Sequence, residues 1–227
     1  MTFSAARRIA VERLSEVLIY LNHITAIEPP AGNAVPPEVK IMRGLFYVQL
    51  YGALEKVTTD SLQQLLRKIG ELQPQNCHVI MPFNVISMSR RWKSLKDSGY
   101  KDALPRVREF FLAIDENKFH GIEESLFADV VQNIWSKTIE DIILALGITG
   151  FTLSVSDRAL VDELVDKRNA VAHGRESPLN VGESDRCDDL RRRLNQVQTL
   201  VLALIDRLEA YLDAREFVHT AHKIHYP

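Results

Sequence analysis

Residues 166–174 place an arginine, an asparagine and a histidine in the last turn and a half of a predicted helix. These are Arg168, Asn169 and His173, and Gly174 follows at the position where a left-handed residue commonly ends a helix. Histidine exchanges protons near neutral pH, so His173 can take the proton of a ribose 2′-hydroxyl that attacks the neighbouring phosphorus. Arg168 would neutralise the charge that develops on the phosphate oxygens, and Asn169 would orient the imidazole or donate to the phosphate. The chemistry indicated is RNA cleavage without a metal or other cofactor.

The spacing of these residues limits what a single chain can do. Arg168 falls on the apolar stripe of its helix, where a guanidinium is costly unless it is paired or faces a wet cleft. Arg168 and His173 are five residues apart, about 140° around a helix, and therefore point in different directions. Two copies meeting across a two-fold axis would bring one chain's Arg168 beside the other chain's His173. The spacing predicts a homodimer with a composite active site.

A purely structural reading of the same residues stays open. Arg168 would then be a helix-end arginine paired with Asp162, Glu163 or Asp166, and His173 a histidine favoured by the helix dipole.

The elements that must position the motif are predicted to be helical almost throughout, in an all-α bundle with a long C-terminal helix. Residues 74–104 contain several prolines and are predicted to form an irregular insertion or a short strand pair. We expect a single domain over 1–227, with a core at about 40–72 and 125–215 and an insertion at 74–120. The predicted helices are 4–25, 36–58 with a shorter continuation at 61–72, 105–120, 124–146, 154–173 and 190–211.

Composition describes an ordinary globular protein. Apolar residues make up 46% of the chain and charged residues 26%, so the sequence is not that of a disordered protein. The formal charge of −2 gives no overall attraction to nucleic acid, so RNA contact would need a local basic patch. The two cysteines lie far apart, and no apolar run reaches the ~20 residues that a membrane helix needs. We expect a cytoplasmic protein that does not enter the membrane.

Two groups of basic residues are candidates for RNA binding. In the irregular region Arg90 and Arg91 precede Trp92 and Lys93 follows it, so charge and a stacking ring occur together, although a solvated loop with a buried tryptophan is the simpler explanation. The last helix carries Arg191, Arg192 and Arg193 on its polar sides, and they would contact the RNA backbone if that helix neighbours the motif helix. Three further histidines follow near the C-terminus, and we expect them to lie in a frayed, solvated tail without a metal. They are His219, His222 and His225.

The string at 167–174 (KRNAVAHG) closely resembles the "RN-x-x-AHG" form of a motif in the HEPN superfamily (higher eukaryotes and prokaryotes nucleotide-binding). Residues 45–55 (LFYVQLYGALE) are similar to a helix of small stand-alone bacterial HEPN-like nucleases. The resemblance covers about 40–60 and 125–215. It implies a helical bundle, homodimerisation and metal-independent endoribonuclease activity, often in toxins of toxin–antitoxin pairs or in antiphage-defence effectors.

Carried over to this chain, the resemblance makes Arg168 and His173 the catalytic pair and Asn169 the usual polar follower. Glu163 would orient Lys167 or Arg168, and an ordinary surface ion pair explains it equally well. Glu55 and Tyr51 would line the cleft, although packing in the core is the simpler role for Tyr51. RNA would be the substrate, with an antitoxin or a defence-system protein as a further partner. A catalytically silent HEPN module that binds RNA, a nucleotide or a protein is the alternative function, and a helical scaffold is a third.

Overall fold

A computed structural model describes residues 3–97, 99–128 and 130–227 of the chain. Positions 98 and 129, which fall in the predicted insertion and in the predicted 124–146 helix, lie outside the described residues. Within the described residues the secondary structure consists of α-helices joined by loops and 3₁₀ turns, and an all-α fold is confirmed. The helices are α1 (Ser4–Ile27), α2 (Pro37–Glu71), α3 (Asn84–Ser87), α4 (Ser89–Lys96), α5 (Tyr100–Ile114), α6 (Ser136–Leu146), α7 (Val155–Ala172), α8 (Pro178–Val181) and α9 (Cys187–Asp213).

Helix α2 is the central element, because α1, α7, α8 and α9 all pack against it. Its buried face includes Phe46, Leu50 and Leu54, all of which are fully or almost fully shielded from solvent. Helix α9 contributes the apolar stripe that its four-three spacing predicts, with Leu190, Val197 and other members buried. Burying each such side chain stabilises the fold by about 1.5–3 kcal/mol, so the long helices hold the motif helix on a firm base.

Helix α7 begins and ends where its sequence predicts. The Ser154 hydroxyl accepts from the backbone N–H of Asp157, and the Asp157 carboxylate accepts in return from the backbone N–H of Ser154, which forms a capping box. At the other end His173 is the C-cap residue of α7, and Gly174 follows it with a φ of +69°, in the left-handed region. The motif residues therefore occupy the final turns of a helix with fixed ends.

The expected break in α2 near residue 58 does not occur, because one helix runs on to Glu71. The Thr59 and Ser61 hydroxyls donate to the carbonyls of Glu55 and Val57 one turn earlier, so the polar run bonds within the helix and does not end it.

The region predicted as an irregular insertion is more helical than expected. Helices α3 and α4 lie within it, and α5 begins at Tyr100 and contains Pro105, the residue at which the sequence predicted a helix start. Among the described residues the expected strand pair is reduced to one isolated antiparallel bridge between Val79 and Val218.

The predicted helix at 124–146 is correct only in its second half. The chain forms turns at 124–128 and a 3₁₀ turn at 130–133, and α6 begins at Ser136. The Asp162 carboxylate accepts hydrogen bonds from the Ser136 backbone N–H at 2.8 Å and from its hydroxyl at 3.0 Å. The start of α6 is thus fixed by a side chain of α7, which no local pattern reveals.

The C-terminal segment is ordered, which corrects the expectation of a frayed tail. Residues 220–225 form a 3₁₀ turn, and the His222 ring stacks on His78 at a centroid distance of 4.0 Å. The His225 ring stacks on His78 at 5.4 Å, and His78 Nδ1 lies 2.7 Å from the Tyr226 hydroxyl. These histidines pack the tail against residues 75–80.

No helix in the described ranges combines the length and the apolar character that crossing a membrane requires.

Candidate active site

The candidate site lies where α7 crosses α2. Tyr47, Tyr51 and Glu55 are spaced four residues apart and therefore form one stripe along α2. Two consecutive residues of α7, Lys167 and Arg168, contact this stripe, with Lys167 at Tyr47 and Arg168 at Tyr51 and Glu55. One stripe of α2 thus serves as the platform for both cations of the motif.

The Arg168 guanidinium lies flat against the platform. Its central carbon is 4.4 Å from the centre of the Tyr51 ring, a cation–π contact with a fully buried aromatic ring. One terminal nitrogen donates to Asn169 Oδ1 at 2.7 Å and to Asn133 Oδ1 at 3.2 Å. The other terminal nitrogen lies 3.4 Å from Glu55 Oε2 and 3.3 Å from the Gln132 carbonyl oxygen. The side chain is 21% exposed, so it is held firmly but remains open on one side.

The Glu55 carboxylate is half-buried beside this guanidinium. Burial raises the pKa of Glu55 above its ordinary value, and the charge and hydrogen bond of Arg168 partly oppose that rise. Burial also raises the pKa of Tyr51, whose hydroxyl accepts from the Ile134 backbone N–H at 2.9 Å and lies 3.3 Å from the Gln132 carbonyl. The segment 132–134 is therefore tied to the same platform and forms one wall beside Arg168.

His173 stands apart from this arrangement. Its side chain is exposed and makes no hydrogen bond, ion pair or ring contact with any residue that the structure describes. Asn169, one turn earlier, turns its amide oxygen to Arg168 and not toward the imidazole. Within one chain the Arg168 side chain faces α2, whereas the contacts of the described residues include none between the His173 side chain and α2. An exposed imidazole without partners is free to accept a proton from a ligand.

Lys167 belongs to a second group of contacts, which we call the charge network and define as Tyr47, Glu163, Lys167, Asp185 and Arg193. The Lys167 ammonium lies 2.8 Å from both the Glu163 and the Asp185 carboxylates. Arg193 of α9 donates to the same Glu163 oxygen, Oε1, at 2.8 Å and to Oε2 at 3.2 Å, and it reaches Asp185 at 3.5 Å. Two cations and two anions balance here, so the charge network joins α7, α9 and the 182–186 loop without leaving net charge.

The carboxylates of the charge network are held ionised. Although burial opposes the effect, Arg193 and Lys167 keep the pKa of Glu163 below its ordinary value. The pKa of Asp185 is likewise lowered, against the effect of burial, by hydrogen bonds from Lys167 and Tyr47. Glu163 therefore binds Lys167, one of the two residues proposed for it, and no contact with Arg168 is seen. It also binds Arg193, for which the sequence suggested contact with RNA and not with a carboxylate.

The other basic candidates lie away from the motif residues. Arg90 and Arg91 are on α4, whose packing neighbours are α5 and α3. Arg191 donates to the Asn22 side chain of α1 at 2.9 Å, and Arg192 pairs with Asp189 on its own helix. Of the three consecutive arginines on α9, the structure brings Arg193 to the motif helix, while Arg191 and Arg192 point elsewhere.

Comparison with known proteins gives one match. The family model described as RiboL-PSP-HEPN matches residues 10–210, which is most of the chain. No curated protein and no solved structure matches the chain significantly. The chain therefore belongs to the RiboL-PSP-HEPN family of the HEPN superfamily, and the membership expected from KRNAVAHG is confirmed. The superfamily includes ribonucleases, and membership supports a nuclease or RNA-binding role in general terms.

Proposed function

We propose that this protein is a metal-independent endoribonuclease that works as a homodimer with composite active sites. The proposal rests on one observation: two side chains at the end of α7 have different environments. Arg168 is fixed on the Tyr51 platform with one open side, and His173 is exposed and without partners in the described part of the chain. A fixed cation and a free base are the two groups that cleavage at a ribose requires.

In the proposed reaction, the His173 imidazole takes the proton of the 2′-hydroxyl. That oxygen forms a bond to phosphorus, the bond from phosphorus to the 5′ oxygen breaks, and the leaving oxygen takes up a proton from water, while the imidazolium returns its proton to the solvent. The products are a 2′,3′-cyclic phosphate and a 5′-hydroxyl end. Arg168 donates to the non-bridging oxygens as their charge increases, and Asn169 holds the guanidinium in place by accepting from it.

The first experiment compares variants on labelled RNA in excess EDTA. His173→Ala should lower the cleavage rate by about 10²–10⁴-fold, the usual contribution of a general base. Arg168→Ala should lower it by about 10²–10³-fold, as the loss of a charge-stabilising donor does. Arg158→Ala on the same helix and His219→Ala, an exposed histidine far along the chain, are matched controls that should cut like the unchanged protein. Cleavage that disappears in EDTA, or that survives both motif substitutions, would contradict the proposal.

Mixing the two inactive variants tests the composite site. Chains with Arg168→Ala and chains with His173→Ala should form mixed dimers in half of the pairs, each with one complete site of its two. Activity should then return to about a quarter of that of the unchanged protein, because a site assembled from two chains needs only one good residue from each. A mixture no more active than its two components would place each pair within one chain.

A catalytically silent RNA-binding module is the second candidate function. It is favoured by the hydrogen bonds that the Arg168 guanidinium already makes, since they leave fewer N–H groups for a phosphate. Their acceptors are Glu55, Asn169, Asn133 and the Gln132 carbonyl. Equal RNA binding by the unchanged protein and by His173→Ala, with cleavage in neither, would establish it.

The cellular role belongs to the same proposal. The family resemblance leads us to propose a toxin of a toxin–antitoxin pair or an antiphage-defence effector, acting in the cytoplasm and restrained by a partner protein. Induced expression should then stop growth, and His173→Ala should abolish that effect while His219→Ala does not.

A further inference from the structure

A cavity of about 410 Å³ opens on the side of α7 that faces away from Arg168. Ala170 and Val181 are buried and supply an apolar base. Asp166 and Glu176 lie at its edge, and Asn180 faces them from α8. The cavity is thus large enough for a planar heterocycle and combines an apolar floor with polar edges.

The cavity is lined by residues on both sides of His173, from α7 before it and from the loop after it. Asp166, Ala170 and His173 are spaced four and three residues apart, so they share one face of α7 and the imidazole comes next along the row. The chain then folds back, because the Glu176 backbone N–H donates to the Ala170 carbonyl at 3.1 Å. Residues on both sides of His173 therefore line the same space, within one helical turn of the proposed base.

The far wall of the cavity is fixed against α2. A Cβ added at Gly44 would lie 1.9 Å from the Pro178 carbonyl oxygen, and one added at Gly182 would lie 1.9 Å from the Lys40 carbonyl oxygen. The two backbones approach this closely only because both positions are glycine. An ion pair of 2.6 Å between Lys40 and Glu183 adds to the attachment. The cavity is preformed, which lowers the cost of ordering a ligand in it.

The charges around the cavity disfavour a phosphate and favour hydrogen-bond donors. Asp166 and Glu176 make no ion pair with any residue in the described ranges, and Lys167 is neutralised within the charge network. Arg175 is the remaining cation, and its contact is a 3.4 Å hydrogen bond to the Asp166 carbonyl oxygen. Two carboxylates against one guanidinium leave the edge negative.

Among RNA bases, guanine fits such an edge best. Its Watson–Crick side presents the N1–H and the N2 amino group next to each other, and one carboxylate can accept from both. Adenine and cytosine offer one amino group beside an acceptor nitrogen, and uracil offers one N–H between two carbonyls. A planar guanidinium such as that of Arg175 can stack on the base.

We propose that this cavity is a guanine-binding subsite that selects the nucleotide next to the phosphate attacked at His173. The proposal rests on the proposed ribonuclease function and adds a specificity to it. Because binding in the cavity does not require cleavage, the two can be tested separately.

The binding test titrates the full-length protein with the 5′-monophosphates of guanosine, adenosine, cytidine and uridine by calorimetry. The guanosine nucleotide should bind about tenfold more tightly than the other three, the discrimination that a bidentate base contact provides. Asp166→Asn and Glu176→Gln should each weaken that preference, while Asp188→Asn, an exposed acid on α9 outside the cavity, should leave it unchanged. All three positions are exposed, so thermal melting should show that the variants fold equally well.

Equal binding of the four nucleotides, or the same preference in Asp166→Asn and Glu176→Gln as in the unchanged protein, would overturn the subsite. Tighter binding of free arginine than of the guanosine nucleotide would also overturn it, since the cavity would then take a cationic side chain. Mapping of cut sites in EDTA separates the two proposals. Cutting without enrichment of guanine would leave the nuclease and remove the subsite, and guanosine selectivity without any cutting would do the reverse.

Discussion

The contact between α2 and α8 leads to a stability prediction with an internal control. In Gly44→Ala the new Cβ would lie 1.9 Å from the Pro178 carbonyl oxygen, whereas ordinary contact begins at 3.4 Å. The carbonyl must therefore retreat by about 1.5 Å, and because it is backbone, α8 must move with it. In Gly52→Ala, eight residues along the same helix, nothing lies within 4 Å of the new methyl group.

The two substitutions should change the stability of the fold in opposite directions. Alanine is favoured over glycine within a helix by about 0.5–1 kcal/mol, and this gain applies at both positions. At Gly44 it is outweighed by overpacking, which costs about 1–3 kcal/mol and sometimes more. In a chain of this length 1 kcal/mol changes the melting temperature by about 2–4 °C. The net cost at Gly44 is up to about 2.5 kcal/mol, so Gly44→Ala should lower the melting temperature by up to about 10 °C, whereas Gly52→Ala should raise it by about 1–4 °C.

Thermal unfolding followed by circular dichroism at 222 nm measures both changes in the full-length protein, with urea unfolding as a check on the free energy. The guanosine preference should weaken in Gly44→Ala, because displacement of α8 moves Asn180 and Val181 away from α7. A melting temperature that rises in Gly44→Ala as it does in Gly52→Ala would refute the reasoning, since it would mean that α8 is not held against α2.

Three further predictions concern the platform, the charge network and the tail. Glu55→Ala should lower the cleavage rate about tenfold by loosening Arg168, and Glu55→Gln should retain more activity, because the amide oxygen still accepts from the guanidinium; single-turnover kinetics decide this. Lys167→Met should lower the free energy of unfolding by about 1–3 kcal/mol, because the Asp185 carboxylate, 13% exposed, then keeps only the longer ion pair with Arg193. Urea unfolding measures this change, and an unchanged midpoint would contradict it. The pKa of His78 is lowered in the folded protein by burial and by its two stacked histidine neighbours, so on acidification the unfolded chain takes up this proton at a higher pH than the folded chain does. The contribution of His78 to the free energy of unfolding should therefore be fully present above about pH 6.5 and decrease below it. Urea unfolding at several pH values should show a smaller decrease in His78→Gln.

The elements that the sequence predicts well are those determined by local signals. The bounds of α7 follow from the Ser154 capping box and from Gly174, both of which lie within a few residues of the helix end they fix. The strict apolar spacing in α9 likewise needs no distant partner to be interpreted. The motif residues were identifiable for the same reason, since their types and spacing are contained in eight consecutive positions.

The errors occur where a distant side chain decides the local structure. Leu126, Val130 and Ile134 have helical spacing, but the hydroxyl of Tyr51 binds the backbone on both sides of residue 133, and Asp162 sets the start of α6. The chain between is therefore held in turns. These contacts pair residues that are far apart in the sequence, so no window along the chain contains the signal.

The ion-pair partners of the motif residues also depend on contacts that are distant in the sequence. On a helix surface Arg168 would be expected to pair with Asp162, Glu163 or Asp166, but Asp162 binds Ser136 and Glu163 binds Lys167 and Arg193. The ion-pair partner of Arg168 is instead Glu55, 113 residues earlier. The spacing of four between Tyr47, Tyr51 and Glu55 was the available clue, because it marks the stripe of α2 that receives both cations.

A composite site also agrees best with how firmly α7 ends. For His173 to reach the phosphate-binding side of Arg168 in its own chain, the last turn of the helix would have to unwind. That would break the hydrogen bonds from His173 N–H to the Asn169 carbonyl at 3.0 Å, from Gly174 N–H to Val171 at 3.2 Å and from Glu176 N–H to Ala170 at 3.1 Å. At about 0.5–1.5 kcal/mol each, these bonds make rearrangement costly, and it would also dismantle the wall of the cavity beside His173. Association of two unchanged chains requires none of this, and it leaves each imidazole beside its own cavity while the partner subunit supplies the guanidinium.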